Sequence, residues 1–203
     1  MTNKVSIVII GVNEWDKYTK VLLNDIKEHE PTATIICVDN GSHPAYPECN
    51  IRLEKTACYA AALNYGISRA IGSDWFILMN NDVRIQKPFI RKILELDSDK
   101  LYGFYTWNDV GAEYLSGWCY FLPQKIYKKV GKFDERFTPM WFEDADYSIR
   151  TIKSGFELME LRREEWGFVH LAIDRGVERR EYMKKYSESR NRNMAYLKEK
   201  HGL

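Results

Sequence analysis

Three short runs in the first 82 residues are apolar at nearly every position, not at alternate ones. They are Val5-Ser6-Ile7-Val8-Ile9-Ile10, Ala33 to Val38 and Trp75 to Met79. A strand with one wet face alternates. A strand that reads apolar throughout is buried on both faces, as in a parallel sheet covered by helices. Helical patterns lie between the runs. Trp15 to Glu28 places Tyr18, Val21, Leu22, Asp25 and Ile26 at helical spacing, and Pro31 stops it. Cys58 to Ile71 is Ala-rich and closed by Gly72, and Ile51 to Leu53 reads as a short extra strand. The order β-α-β-(β)-α-β is the grammar of an open α/β sheet.

The second half changes character. Lys87 to Leu96 reads as a helix opened by Pro88. Leu101 to Trp107 and Tyr114 to Leu122 read as aromatic strands, Lys125 to Val130 as a short helix, and Phe142 to Ser154 as a helix ended by Gly155. Phe156 to Leu161 and Glu165 to Leu171 read as strands. Glu181 to Lys200 puts Met183, Tyr186, Met194 and Leu197 on one helical stripe. No repeat and no Pro/Gly/Ser linker divides the chain. The expectation is a single α/β domain over residues 1–203 with a mixed, mostly parallel sheet.

Net charge decides against one class of partner. Thirty Lys+Arg against 29 Asp+Glu leave +1, too small a basic excess for a general nucleic-acid binder. The balance is uneven: Arg175 to Leu203 holds nine Lys/Arg and four Glu. That basic end suits an anionic partner, or is simply a solvated helix face. Cys37, Cys49, Cys58 and Cys119 have no zinc-ligand or CxxC spacing, which points to a reducing compartment. The first apolar run is too short for a signal peptide or a membrane span. The chain is expected to be cytoplasmic, touching a membrane at most peripherally.

Open α/β sheets bind ligands beyond the carboxyl ends of their strands. Three polar clusters fall there: Gly11 to Glu14, Asp39 to Ser42, and Asn80-Asn81-Asp82. Polar turns must follow strands in any case, so position alone does not decide. Asp82 could hold a divalent ion against a diphosphate, and His170, ending Trp166-Gly167-Phe168-Val169, is the best second ligand. A lone His is as well read as a packed core residue. Glu143, Asp144 and Asp146 crowd a helix start after Trp141-Phe142. Acids there can be caps, or one of them can be a general base. Lys184-Lys185 and Arg190-Asn191-Arg192 could grip phosphate oxygens or face solvent.

The order of these pieces resembles glycosyltransferase family 2. The pieces are Val5 to Ile10, Ile36-Cys37-Val38-Asp39-Asn40-Gly41-Ser42, Asn64-Tyr65-Gly66-Ile67, Leu78-Met79-Asn80-Asn81-Asp82, Phe142-Glu143-Asp144-Ala145-Asp146-Tyr147-Ser148-Ile149-Arg150, His170 and Ser189-Arg190-Asn191-Arg192. Together they run over about residues 4–200. The likeness is strongest to rhamnosyl- and galactofuranosyltransferases, and the compact size is similar to that of a chlorella-virus glycosyltransferase domain. The resemblance implies the GT-A fold, a Rossmann-like nucleotide-diphospho-sugar transferase fold. Residues 1–82 would form the nucleotide-binding half, and 83–203 the acceptor-binding half with its C-terminal helix. It implies inverting transfer from a nucleotide-sugar donor, UDP-sugar favoured and a rhamnose donor open, to a glycan acceptor. If the chain is viral, it would work in the host cytoplasm.

The resemblance also implies roles. Asp39 would bind the nucleotide base, and the backbone around Gly11 and Asn13 would shape the nucleoside pocket. Asn80-Asn81-Asp82 stands where the family has Asp-x-Asp. Asp82 would bind Mn²⁺ or Mg²⁺ with His170, Asp144 would be the catalytic base with Glu143 beside it, and Arg190 would steady the diphosphate. Asn80 replaces an acid, which weakens the expected grip on a hard cation. Trp107, Trp118 and Trp141 could line a sugar-stacking groove or be core. Two rivals use similar residues: a nucleotide-sugar or carbohydrate-binding module without catalysis, and a sugar nucleotidyltransferase. Gly11-Val12-Asn13-Glu14-Trp15 lacks the latter's phosphate loop, and no GxGxxG follows Ile10 for NAD.

Overall fold

The computed structural model describes residues 4–70, 72–171, 184 and 186–203. Seven strands form the central sheet: β1 (Val5–Gly11), β2 (Thr34–Asp39), β3 (Ile51–Arg52), β4 (Trp75–Asn80), β6 (Lys100–Gly103), β9 (Cys119–Pro123) and β10 (Glu157–Glu160). Their order is β10-β6-β9-β4-β1-β2-β3. The pairs β1–β2, β1–β4, β2–β3 and β6–β10 are parallel, and β9 runs antiparallel to both β4 and β6. The sheet is mixed and mostly parallel, as the apolar runs require.

Burial on both faces follows the period of two along β1. Ile7 and Ile9 pack with Leu22, Leu23 and Ile26 of α1 (Lys20–His29). Val8 and Ile10 pack on the other face with Ala60, Leu63 and Ile67 of α2 (Tyr59–Arg69). Helices α4 (Gln124–Val130) and α5 (Glu143–Lys153) share that second face through Ile126 and Tyr147. A third cluster joins Val110, Tyr114, Phe137, Phe142, Ala145 and Ile149 to Leu197 of the C-terminal α7 (Ser187–His201).

Several sequence expectations change at the edges. A π-helical turn, Trp15–Thr19, precedes α1. The helix expected over Lys87 to Leu96 shortens to α3 (Ile90–Ile93), and the Phe89 and Ile90 amides at its start are held by the Glu30 carboxylate just beyond α1, on the same face of the sheet. Leu101 to Trp107 breaks into β6 and β7 (Thr106–Trp107). Tyr114 to Leu122 likewise breaks into β8 (Tyr114–Leu115) and β9, with Gly117 between them. Glu165 to Leu171 is not one strand. α6 (Arg163–Trp166) ends at Gly167 in the left-handed region, and β11 (Phe168–His170) follows. β11 pairs with β5 (Val83–Ile85), outside the main sheet. The expected C-terminal helix begins at Ser187, and Ile71, Met183 and Lys185 lie outside the described residues. No helix among the described residues is long and apolar enough to cross a membrane.

Candidate active site

Parallel register aligns the expected residues. Gly11 stands beside Asp39, and Ile10 beside Asn80, so β1, β2 and β4 end side by side at one edge of the sheet. The loops expected to face a nucleoside are tightly built. Asn13, with φ 54°, donates its backbone N–H to Ser42 Oγ at 2.8 Å, and its side-chain oxygen accepts from the His43 amide at 2.9 Å. Tyr46 donates its hydroxyl to the Asn13 carbonyl at 2.7 Å. A Cβ on Gly11 would lie 2.5 Å from that hydroxyl, so only glycine lets the loop close here.

Asp39 holds the turn that follows it. Its carboxylate is fully buried and accepts from the amides of Ser42 (2.8 Å) and Tyr46 (3.0 Å) and from Arg52. Burial opposes its charge, but hydrogen bonds from Ser42, Tyr46 and Arg52 outweigh burial and lower its pKa. The residue expected to face a base is thus engaged by its own chain, and Arg52 stands in front of it. Asn81 also turns inward: its amide donates to Thr19 Oγ1 at 3.0 Å and bonds the Tyr46 hydroxyl at 3.4 Å. It braces the loops rather than presenting its amide nitrogen to the cleft.

One further residue belongs to the site, although neither its type nor its place in the chain singles it out. Tyr59 opens α2, and its hydroxyl donates to Asn80 Oδ1 at 2.6 Å. Burial and the charges of Glu143, Asp82 and Asp144 push its phenol well above the ordinary value. The ring is partly buried, and the three carboxylates lie within electrostatic reach of it.

Beyond the strand tip lies the Asp82–His170 pair. β11 sets His170 opposite Val83, and the Leu171 amide bonds the Asp82 carbonyl at 2.9 Å. His170 Nε2 is 3.3 Å from Asp82 Oδ1. The imidazole stacks on Trp118, with centroids 4.7 Å apart and planes at 4°, which fixes its orientation. Neither ring nitrogen has a hydrogen-bond partner among the described residues, although His170 is buried. A buried imidazole left open beside a carboxylate fits a cation ligand set. No group of three or more His, Cys, Asp or Glu among the described residues is placed to hold an ion. Two protein ligands suit an ion that takes its remaining oxygens from phosphate and water.

Glu143 and Asp144 are joined to that pair through Gly117, which bonds Asp144, and Trp118, which stacks on His170. Trp141 (φ 88°) and Phe142 (φ 69°) both adopt the left-handed region, a costly turn that launches α5. Asp144 accepts from the Gly117 amide at 2.9 Å and the Ala145 amide at 2.9 Å. A Cβ on Gly117 would come within 2.8 Å of Asp144 Cβ, so the glycine allows this contact. Glu143 Oε2 is buried with no hydrogen-bond partner among the described residues. Burial raises both pKa values, and the Asp144 charge lifts Glu143 further. Two amides stabilise charge on Asp144, so any proton shared by the pair belongs on Glu143.

Asp146, the third acid of this helix start, points elsewhere. It pairs with Arg150 (2.8 Å), Lys200 (2.5 Å) and His201 (2.9 Å). Arg190 lies 3.4 Å from Asp109 and over the Phe142 ring at 5.2 Å. Trp118 is core beneath His170, Trp141 is half-buried at the launch of α5, and Trp107 is exposed.

A family model described as Glycosyl transferase family 2 matches residues 6–149. The chain belongs to glycosyl transferase family 2. Solved structures with the same fold include GalNAc-T7 with UDP, GalNAc and Mn²⁺, at TM-score 0.65 and 12% identity over 78% of this chain. Mannosyltransferase PcManGT from Pyrobaculum calidifontis, with GDP-Man and Mn²⁺, matches at TM-score 0.59 and 12% identity over 80%. S. aureus TarS 1-349 with UDP matches at 0.58 and 15% over 77%. This chain spans 41%, 55% and 58% of those three. No curated protein matches it. The likeness establishes the GT-A fold, with the mixed seven-stranded sheet already described.

Proposed function

We propose that the chain is an inverting glycosyltransferase that moves a sugar from a nucleotide-diphosphate sugar to a hydroxyl of a glycan. The observation that carries this reading is that two successive residues join the two groups: the Gly117 amide bonds Asp144, and Trp118 stacks on the His170 that faces Asp82. In this reading the Asp82–His170 pair holds a cation and Asp144 is a partly masked base. Asp82 and His170 would hold Mn²⁺ or Mg²⁺, which when bound would supply positive charge to the diphosphate. Structures of the same fold that hold Mn²⁺ with UDP or GDP-Man support that assignment. A UDP-sugar is the favoured donor, and a rhamnose donor remains within the same chemistry.

The chain's own groups account for the proton and the geometry. Asp144 takes the acceptor hydroxyl's proton as that oxygen bonds the anomeric carbon. The bond from that carbon to the diphosphate breaks on the opposite face, and its electron pair leaves with the diphosphate. One displacement inverts the centre. Glu143, holding the pair's proton, leaves Asp144 as the ionised partner. Gly11, Asn13 and the turn held by Asp39 shape the nucleoside pocket, with Arg52 as its charged wall. Asn80 faces the donor, and Asn81 fixes the loop that carries Asp82. Arg190 meets Asp109 and lies over Phe142, so this reading gives it to the acceptor and not, as expected, to the diphosphate.

Asp144→Asn tests this directly. Transfer should fall on the order of 10²–10⁴-fold, the share of a general base. UDP in the presence of Mn²⁺ should raise the Tm of variant and wild type equally. Loss of the UDP-induced shift along with transfer would make Asp144 a structural residue and sink the mechanism.

A further inference from the structure

We infer that the β7–β8 hairpin with Arg190 forms the acceptor subsite, and that it takes a neutral pyranose whose C–H face lies on Trp107. The inference rests on the glycosyltransferase reading and deepens it. Trp107 pairs directly with Tyr114 across the hairpin, and opposed residues of an antiparallel pair project from the same face. The other opposed pair, Thr106 and Leu115, sends Leu115 into the core. Tyr114 is buried in the cluster with Phe142 and donates its hydroxyl to Asp109 at 2.8 Å. Asp109 in turn meets Arg190. The face bearing Trp107 therefore continues through Tyr114 and Asp109 to Phe142 and the start of α5.

The chemistry of this face is that of a sugar platform. Trp107 is 43% exposed, high for an indole, which offers its π-face to apolar C–H bonds. The Asp109 and Arg190 side chains remain 46% and 30% exposed. One supplies acceptor oxygens and the other N–H donors, so together they can bind a pair of vicinal hydroxyls. Tyr114 packs with Phe142 and Ala145, the residues that flank Glu143 and Asp144, so the platform adjoins the proposed base. A neutral sugar suits the balanced pair, whereas a charged one would leave either Asp109 or Arg190 opposed.

Saturation-transfer NMR tests the subsite, with methyl pyranosides of glucose, galactose, mannose and rhamnose as probes. At least one should receive saturation at the C–H protons of one ring face in the wild type. Trp107→Ala should weaken that binding by about tenfold, and Trp107→Phe should retain most of it. Asp109→Asn should weaken binding without altering which ring face is saturated. The UDP–Mn²⁺ thermal shift should be the same in every variant. Absence of saturation from all probes, or equal saturation in wild type and Trp107→Ala, would overturn the subsite even if UDP binds. Pyranoside binding without any UDP–Mn²⁺ shift would leave the subsite standing and defeat the donor assignment instead.

Discussion

Asn80 shows how one hydrogen bond can set a residue's chemistry. An amide has an accepting end and a donating end. Tyr59 takes one acceptor site of the Asn80 oxygen at 2.6 Å, which favours the N–H₂ as the end that meets a ligand. It should then donate to a donor-substrate oxygen rather than coordinate a cation. That accounts for an amide where the family's motif begins with an acid. Asn80→Asp is expected to raise the KM for the nucleotide sugar about tenfold, the value of one lost charge-assisted hydrogen bond. The Mn²⁺ concentration for half-maximal activity should not fall. A lower Mn²⁺ requirement with unchanged KM would show the opposite, that position 80 is a metal ligand.

At the scale of elements, α5 carries the titrating pair, and its pH behaviour follows from burial. Raised carboxyl pKa values mean that the folded state binds more protons than the unfolded chain just above the ordinary carboxylate range. The stability Glu143 gives is therefore full below its unfolded pKa and is lost as pH rises through the folded value. Glu143→Gln removes that loss. Its Tm should exceed that of the wild type by several degrees at about pH 9 and match it at about pH 4. Equal Tm values at both ends would mean that Glu143 ionises freely in the folded protein. Activity should appear only as pH rises past the raised pKa of Asp144, since that oxygen must be ionised to accept a proton. The strands of the first half were legible because burial on both faces leaves a continuous apolar run. The second half was less so, since Gly117 and Gly167 interrupt apolar stretches with turns that composition does not reveal. The polar strand tips and the acids of α5 were legible by residue type and position. Tyr59 and Gly117 were not, because each acts through a contact 21 and 27 residues away along the chain.

Across the whole molecule, α7 binds the proposed acceptor platform to the frame of α5, the helix that carries the proposed base. Near its start, Arg190 faces Asp109. In its middle, Asn193 donates to the carbonyls of Thr138 (3.2 Å), Met140 (2.9 Å) and Trp141 (3.3 Å), the segment that launches α5. At its end, Lys200 and His201 close on the buried Asp146, which also holds Arg150. One helix thus fixes the platform, the strained launch and the far side of α5. Asp146 lies two residues beyond the proposed base yet serves this clamp, which separates architecture from chemistry within a single turn. Removing its charge leaves Lys200 with Asp134 alone, at 2.7 Å. Breaking a buried pair from one side costs about 3–5 kcal/mol, and the second partner of Lys200 favours the lower end. At roughly 2–4 °C per kcal/mol for a chain of this size, Asp146→Asn should lower Tm by about 10 °C. Hydrogen exchange should quicken first in the amides of α7, because its docking is what the mutation loosens. A lowered Tm with α7 still as protected as the sheet would show that Asp146 stabilises α5 alone, and the coupling of platform to catalytic helix would have to run through Asn193.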